Sequence, residues 1–222
     1  MNAEIRDIAI FTTFAATAAT AVMLVPGVAV AWLLARRQFP GKSLVETVVS
    51  LPLVMPPVAT GLMLLWLFSR RGPLGALLAR IGIEIVFTPA AVVMAMAVMG
   101  MPLLVRTARA GFEQVTRRYE QIAETLGAGP WRVFSTVTLP LAARNILAGA
   151  MLGFSRALGE FGATILLAGN IPGKTQTLSL AIYNYVQLGK DPEAYTLLGI
   201  TVALAFLFVW CSEWLLRAER KN

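Results

Sequence analysis

Four uncharged apolar runs dominate the chain, at 8–35, 48–69, 86–105 and 195–212, the last continuing past Glu213 to Leu216. A membrane-crossing helix needs about 20 mostly apolar residues, and each run meets that length. A fifth run, 141–168, is as apolar but carries Arg144 near its start and Arg156 and Glu160 well inside. The alternation of barrel strands is absent, and open sheet edges do not survive in hydrocarbon. The pattern predicts an all-α integral membrane protein: a helical bundle of about five transmembrane helices. The spans fall at about 8–35, 48–69, 86–105, 141–168 and 195–216, in one transmembrane domain over 1–222. Between them, 36–47 is short and basic. Residues 70–85 contain GPLGALLARIGI, a candidate interfacial helix. Residues 169–194 hold NIPGKTQT and then LSLAIYNYVQL, which is too short to span and is expected to be a re-entrant or surface helix. A sixth span at 75–85 or within 169–194 is the alternative count.

Composition narrows the function classes. Of 222 residues, 57% are apolar and 14% charged, with mean hydropathy +0.70. Soluble domains have about 45–50% and about 25%. A disordered chain is excluded and an ordinary soluble enzyme is disfavoured. The chain has no histidine and one cysteine, Cys211. No imidazole base, His metal site, intrachain disulfide or Cys cluster is therefore available, and no metal site is expected. No Walker-type glycine-rich loop occurs, so the chain is not expected to bind ATP by that route. The N-terminus lacks a basic n-region and the run after it is too long for a cleaved signal, so 8–35 is expected to be a retained helix.

A net charge of +7 invites a nucleic-acid reading until its distribution is considered. Lysine and arginine accumulate on the cytoplasmic side of membrane proteins. With five spans, twelve fall on one side: Arg36, Arg37, Lys42, Arg106, Arg109, Arg117, Arg118, Arg132, Arg144, Arg217, Arg220 and Lys221. Six fall on the other, Arg6, Arg70, Arg71, Arg80, Lys174 and Lys190, and Arg156 lies within a span. This asymmetry places 106–140 and the C-terminus in the cytoplasm and the N-terminus outside. The environment is membrane lipid and no nucleic-acid partner is expected.

The segment 106–140 is the longest polar one, and 114–140 reads QVTRRYEQIAETLGAGPWRVFSTVTLP. Residues 119–126 are helix formers without Gly or Pro, and Gly127 and Gly129-Pro130 break the run. A second short helix is expected from Trp131, stopping before Pro140. Such a helix–turn–helix on the cytoplasmic face suits a groove on another protein or a lipid surface. Its spacing resembles the EAA loop of ABC importer permeases: Glu-Ala-Ala, three residues, Gly, nine residues, Ile, one residue, Leu-Pro. Gln121-Ile122-Ala123, Gly127, Val137 and Leu139-Pro140 stand at those places. Gln121 and Ile122 depart from the family's Glu and first Ala, and Glu120 stands one position earlier, so a salt bridge from that position is left open. In that family the loop is the coupling helix that docks on the ATPase subunit. The resemblance implies an ATPase-coupling role for Glu120, Gln121, Ile122, Ala123, Gly127, Leu139 and Pro140. It makes 121–127 the contact, with Gly127 permitting the turn.

The charged span contains SRALGEFGAT at 155–164. A charge at the centre of a span costs at least about 2.5–3.5 kcal/mol on insertion scales, so it asks for a role. Arg156 and Glu160 are four apart and share a helix face. Gly159 and Gly162 flank the glutamate and allow close helix approach or local unwinding. Either Arg156 lies on an anion path with Glu160 as partner and gate, or the pair is buried and fixes helix packing. In the second span, SLPLVMPPVATG, Pro52, Pro56 and Pro57 interrupt the hydrogen-bond ladder. Pro56 and Pro57 therefore either face the pathway or make a packing kink. An intramembrane enzyme built on Glu160 would lack a second placed carboxylate or nucleophile. A passive anion channel with Arg156 as its selectivity group is the other alternative class.

Beyond the loop, RQFPGK, SLPLVMPPV, ETLGAGPWRVFSTVTLPL, RALGEFGAT and GNIPGKTQT resemble the permease subunits of bacterial molybdate ABC importers. These pieces cover most of 37–183. Sulfate permeases share the general plan, and tungstate is a third tetrahedral oxyanion of similar shape. The resemblance implies the type I ABC importer permease fold and a homodimer with the pathway on its twofold axis. It also implies two ATPase subunits on the coupling helices and a periplasmic oxyanion-binding protein. The chain would then be a transport subunit of the bacterial inner membrane and not an enzyme. It would carry no cofactor of its own, with ATP and Mg used by the ATPase.

Overall fold

The computed structural model describes residues 3–218, with side chains described through Cys211. Arg220 and Lys221 of the basic C-terminal cluster, and the Arg217 side chain, lie outside that range. The apolar runs fold as helices because hydrocarbon offers no partner for an unpaired backbone group. In chain order the helices are α1 (Ala3–Arg36), α2 (Lys42–Val54), α3 (Pro57–Phe68), α4 (Gly75–Ala79) and α5 (Pro89–Gln114). They continue with α6 (Arg117–Thr125), α7 (Pro130–Val133), a π-helical turn Phe134–Thr138 and α8 (Leu139–Leu158). The remainder are α9 (Gly162–Leu167), α10 (Leu178–Gln187) and α11 (Asp191–Ala218). Among the described residues, four helical stretches are long and apolar enough to cross a membrane: α1, α5, Pro130–Leu158 and α11. The pair α2 and α3 makes a fifth if its two halves form one span.

Three expectations need correction. The run 48–69 is not one helix: α2 starts at Lys42, and its axis turns by 119° into α3. The cause is local. A residue before proline is driven out of the helical region. Met55 precedes Pro56, and Pro56 precedes Pro57, and both have extended ψ values, 144° and 134°. The run 141–168 is likewise not one helix. It breaks after Leu158 and resumes at Gly162. Finally, the span expected at 86–105 and the helix expected from Trp131 both run further. α5 continues to Gln114, and the helix expected to stop before Pro140 runs through it. The π turn explains that passage. The amide of Leu139 bonds to the carbonyl of Phe134, five residues back. The wider turn relieves the clash that a proline ring makes with the carbonyl four residues behind it. The segment 70–85 supplies only the single-turn α4, and LSLAIYNYVQL folds as the short α10.

α5 is the axis of the packing, lying against α8 and α1, with α2 and α9 also on it. The approach of α5 to α8 depends on small residues. A Cβ on Gly100 would stand 2.8 Å from the carbonyl oxygen of Gly153, and one on Gly149 would stand 3.0 Å from that of Leu104. Around this seam Ala15, Ala19, Met23, Ala95, Met96 and Ala157 form the main core. A second cluster around Leu34, Val105, Phe112 and Ala142 closes the end that carries α6 and α7. α10 is fixed to α1 where the buried Thr12 hydroxyl accepts the Leu178 amide at 2.9 Å. Large apolar side chains on the outside, such as Phe14, Val25, Phe206 and Trp210, are exposed, which suits helices surrounded by hydrocarbon.

Candidate functional site: an exposed helical segment and a broken charged helix

The segment between α5 and α8 stands out from the rest of the surface. Every residue of α6 is at least partly exposed. Its end follows from one glycine. Gly127 has φ +86°, its amide bonds to Glu124 O at 2.9 Å, and the Ala128 amide bonds to Ala123 O at 3.0 Å. This is a Schellman ending, which requires a left-handed residue that glycine adopts without a Cβ penalty. Pro130 then opens α7 at a position where its missing N–H costs nothing. Tyr119, Ile122, Leu126 and Trp131 point outward, 56%, 48%, 83% and 77% exposed, with Arg117, Arg118 and Arg132 exposed among them. The result is an apolar knob with a basic rim. Gln121 and Gly127 are exposed on it and Ala123 is half-buried. Leu139 and Pro140 lie beyond the π turn at the start of α8, half-buried and exposed respectively.

Glu120 does not join that outward face. Its Oε1 accepts from Arg36 Nη2 at 2.9 Å and from the Thr138 hydroxyl at 2.6 Å. The same Arg36 nitrogen donates to the Val115 carbonyl at 3.0 Å. Glu120, one position before the family's Glu place, thus makes a salt bridge within the chain, directed inward. Trp32, Phe112 and Trp131 pack around Phe134 beside it, with ring centroids 5.6–6.4 Å apart. A cleft of about 310 Å³ adjoins the pair, lined by Arg37, Arg117, Gln121 and Glu124 among others. Arg36 and Thr138 carry no signal in the sequence, because they lie 84 and 18 residues from Glu120. The same holds for Arg109, counted above only as a topological charge. It pairs with Glu46 at 2.8 Å and Glu113 at 2.7 Å and ties α2 to α5.

The second candidate site is the break between α8 and α9. Arg156 lies in the last turn of α8, and Gly159 caps that helix. Glu160 is 1% exposed. Its Oε2 lies 2.7 Å from Arg156 Nη1, a charge contact without aligned hydrogen-bond geometry. Its Oε1 accepts the Ala163 amide at 2.7 Å and so caps the first turn of α9. One carboxylate therefore links the end of one helix to the start of the next. Gly162 lies against the other break: an added Cβ would stand 2.8 Å from Pro57 Cβ and 3.0 Å from the Val58 amide nitrogen. Gly61 on α3 meets Ala163 on α9 as closely. The structure thus brings Pro57 against Gly162 and Gly61 against Ala163, although about a hundred residues separate them. Arg156 keeps 28% of its side chain exposed, so its guanidinium is not sealed inside the pair.

Comparison with known proteins gives these features a context. The profile of the family "Binding-protein-dependent transport system inner membrane component" matches residues 27–220. The chain is 48% identical over 198 residues to the molybdenum transport system permease protein ModB of Escherichia coli (strain K12), covering 88% of this chain and 86% of that protein. It is 45% identical over 195 residues to the Haemophilus influenzae protein of the same name, covering 87% and 85%. Identity to the E. coli sulfate transport system permease protein CysT is 39% over 184 residues, covering 83% of this chain and 66% of that one. Among solved structures, a bacterial ABC transporter that imports alginate superposes with TM-score 0.76 at 16% identity, covering 98% of this chain and 80% of that chain. The MetNI methionine ABC transporter does so with TM-score 0.69, also at 16% identity, covering 98% and 99%. The fold is therefore the one expected of an ABC importer permease. With a profile match over most of its length and relatives near half identity, the chain belongs to the family of inner membrane components of binding-protein-dependent transport systems.

Proposed function

We propose that this chain is the transmembrane subunit of an ATP-driven importer that carries molybdate across the inner membrane by alternating access. The observation that carries this reading is the 48% identity, over 88% of the chain, to a molybdenum permease. The lower identity to sulfate permeases ranks sulfate second. As a transport component the chain supplies the path, while ATP and Mg act on a separate ATPase subunit. Two copies form a homodimer with the pathway between them, a periplasmic binding protein delivers the oxyanion, and two ATPase subunits dock. The lysine and arginine asymmetry supports an outside N-terminus and a cytoplasmic C-terminus.

Docking falls to the apolar knob of α6 and α7. An exposed cluster of tyrosine, isoleucine, leucine and tryptophan in a basic rim fits an apolar groove edged by acidic groups. Gln121, Ile122, Ala123 and Gly127 lie on it or shape it, and Leu139 and Pro140 begin the helix behind it. At the other end, Arg156, Gly159, Glu160, Gly162, Pro56 and Pro57 form the candidate pathway junction, with Arg156 nearest to meeting an anion.

Two experiments test this reading. Deleting the gene should abolish molybdate uptake at low molybdate, and the cloned gene should restore it. Normal uptake in the deletion strain refutes the substrate, and a deficit in sulfate or tungstate uptake instead reassigns it. Leu126→Asp should weaken ATPase co-purification by about 2 kcal/mol or more, roughly 30-fold, as for a central interface anchor. Undiminished co-purification with Leu126→Asp would move the docking site elsewhere.

A further inference from the structure

We propose that Arg36, Glu120 and Thr138 form an internal clamp that passes displacement of the docking helix α6 to α1 and α8. Glu120 is then a positioning residue inside the permease and not a contact for the ATPase. The inference rests on the docking role proposed above. Arg36 is the last residue of α1, Val115 caps α5, Glu120 is in the first turn of α6, and Thr138 ends the π turn that leads into α8. All four helix ends converge on two atoms. Glu120 Oε1 takes both hydrogen bonds, from Arg36 Nη2 at 2.9 Å and from Thr138 at 2.6 Å, and Arg36 Nη2 also holds Val115 O at 3.0 Å.

Three features make this a route for motion. The side chains of Arg36 and Glu120 are only 10% and 17% exposed, so their attraction is little screened by salt. α6 has no buried residue, and its other packing is on α7 and the π turn, so few contacts can carry movement out of it. Beyond Thr138, α8 is a continuous helix of 20 residues, about 30 Å long. Arg156 stands in its last turn, paired with Glu160 across the break to α9. A shift of α6 that pulls Thr138 therefore reaches that break along a stiff element. The outward face of α6, with Tyr119 and Ile122, stays free for the partner while Glu120 holds the inner side.

The test uses the complete transporter, permease with ATPase and binding protein, in proteoliposomes, with Glu120→Gln, Thr138→Val and Thr138→Ser. Three quantities are read: ATPase retained on the purified permease, ATP hydrolysed, and molybdate imported per ATP. All three variants should retain the ATPase as the unsubstituted chain does. Import per ATP should fall about tenfold in Glu120→Gln, within the range known for coupling substitutions. Thr138→Val, which removes only the hydroxyl donor, should lose less, and Thr138→Ser, which keeps it, should lose nothing. Loss of ATPase retention in Glu120→Gln would make Glu120 a docking contact and overturn the clamp. An unchanged ratio in both Glu120→Gln and Thr138→Val would overturn it as well. If the unsubstituted chain retained no ATPase, the proposed function would fall and the clamp with it.

Discussion

Arg156→Ala is expected to destabilise the protein by about 3–5 kcal/mol, the cost of leaving a buried charge without its partner. Glu160 is 1% exposed, and Arg156 Nη1 at 2.7 Å is the cation facing its Oε2. The reverse change should be milder. Glu160→Gln keeps a carbonyl oxygen that can accept the Ala163 amide, so the start of α9 stays capped. The guanidinium left behind is 28% exposed, and its long stem lets the charge reach a polar surrounding. A loss of about 1.5–3 kcal/mol is expected there, the scale of the charge-assisted bond between the Ala163 amide and the carboxylate. Thermal unfolding in detergent, followed by circular dichroism, measures both. Equal losses would mean that Arg156 does not compensate the buried carboxylate. Uptake by the folded Glu160→Gln variant then separates the two roles raised for the pair. If Arg156 meets the anion, half-saturation changes, and if the pair only joins α8 to α9, the maximal rate alone falls.

The second large effect lies at the α5–α8 seam. Gly100→Leu should prevent the bundle from closing. Even the first carbon of a side chain there would stand 2.8 Å from the Gly153 carbonyl oxygen and 3.0 Å from Met23 Sδ. The nearer obstacle is backbone, which cannot rotate away. Gly100→Ala alone should cost about 1–3 kcal/mol, and leucine more, because the helices must part and lose contacts along the seam. Gly199→Leu on α11 is the control, since nothing lies within 4 Å of its added Cβ. Yield of folded protein and thermal unfolding read the outcome. A Gly100→Leu protein as stable as the control would show that the seam does not depend on small residues.

How much was legible beforehand differs by feature. The spans at 8–35 and 195–216 needed only their hydropathy, because an uncharged apolar run in hydrocarbon has no stable form but a helix. The turn at Gly127 was equally visible: a glycine after a run of helix formers marks a left-handed ending, and φ +86° is what the structure shows. The break at 159–161 was hidden. Apart from Arg156 and Glu160 its neighbours are apolar or small, so an average over the window reads straight through, although Gly159 and Gly162 hinted at it. Pro140 misled in the other direction. It suggested a stop, and the π turn at 134–138 carried the helix past it.

Side-chain direction was the least legible quantity. Glu120 sits in the sequence beside the exposed residues of α6, and its spacing alone cannot say whether the carboxylate points out or in. That depended on where α1 ended, which put Arg36 within reach. Likewise, two proline- and glycine-marked breaks were each visible in part, but nothing in the chain order said that Pro57 and Gly162 would touch. The sequence by itself therefore determined the membrane class, the four long apolar helices and the turn at Gly127. All of these follow from local composition and from spacings of a few residues. Only the tertiary structure decided which distant charges pair, as Arg36 with Glu120 and Arg109 with Glu46, where the broken helices meet and which side of α6 is free. Those depend on contacts between segments tens of residues apart, and packing at near-crystalline density leaves each such contact one arrangement.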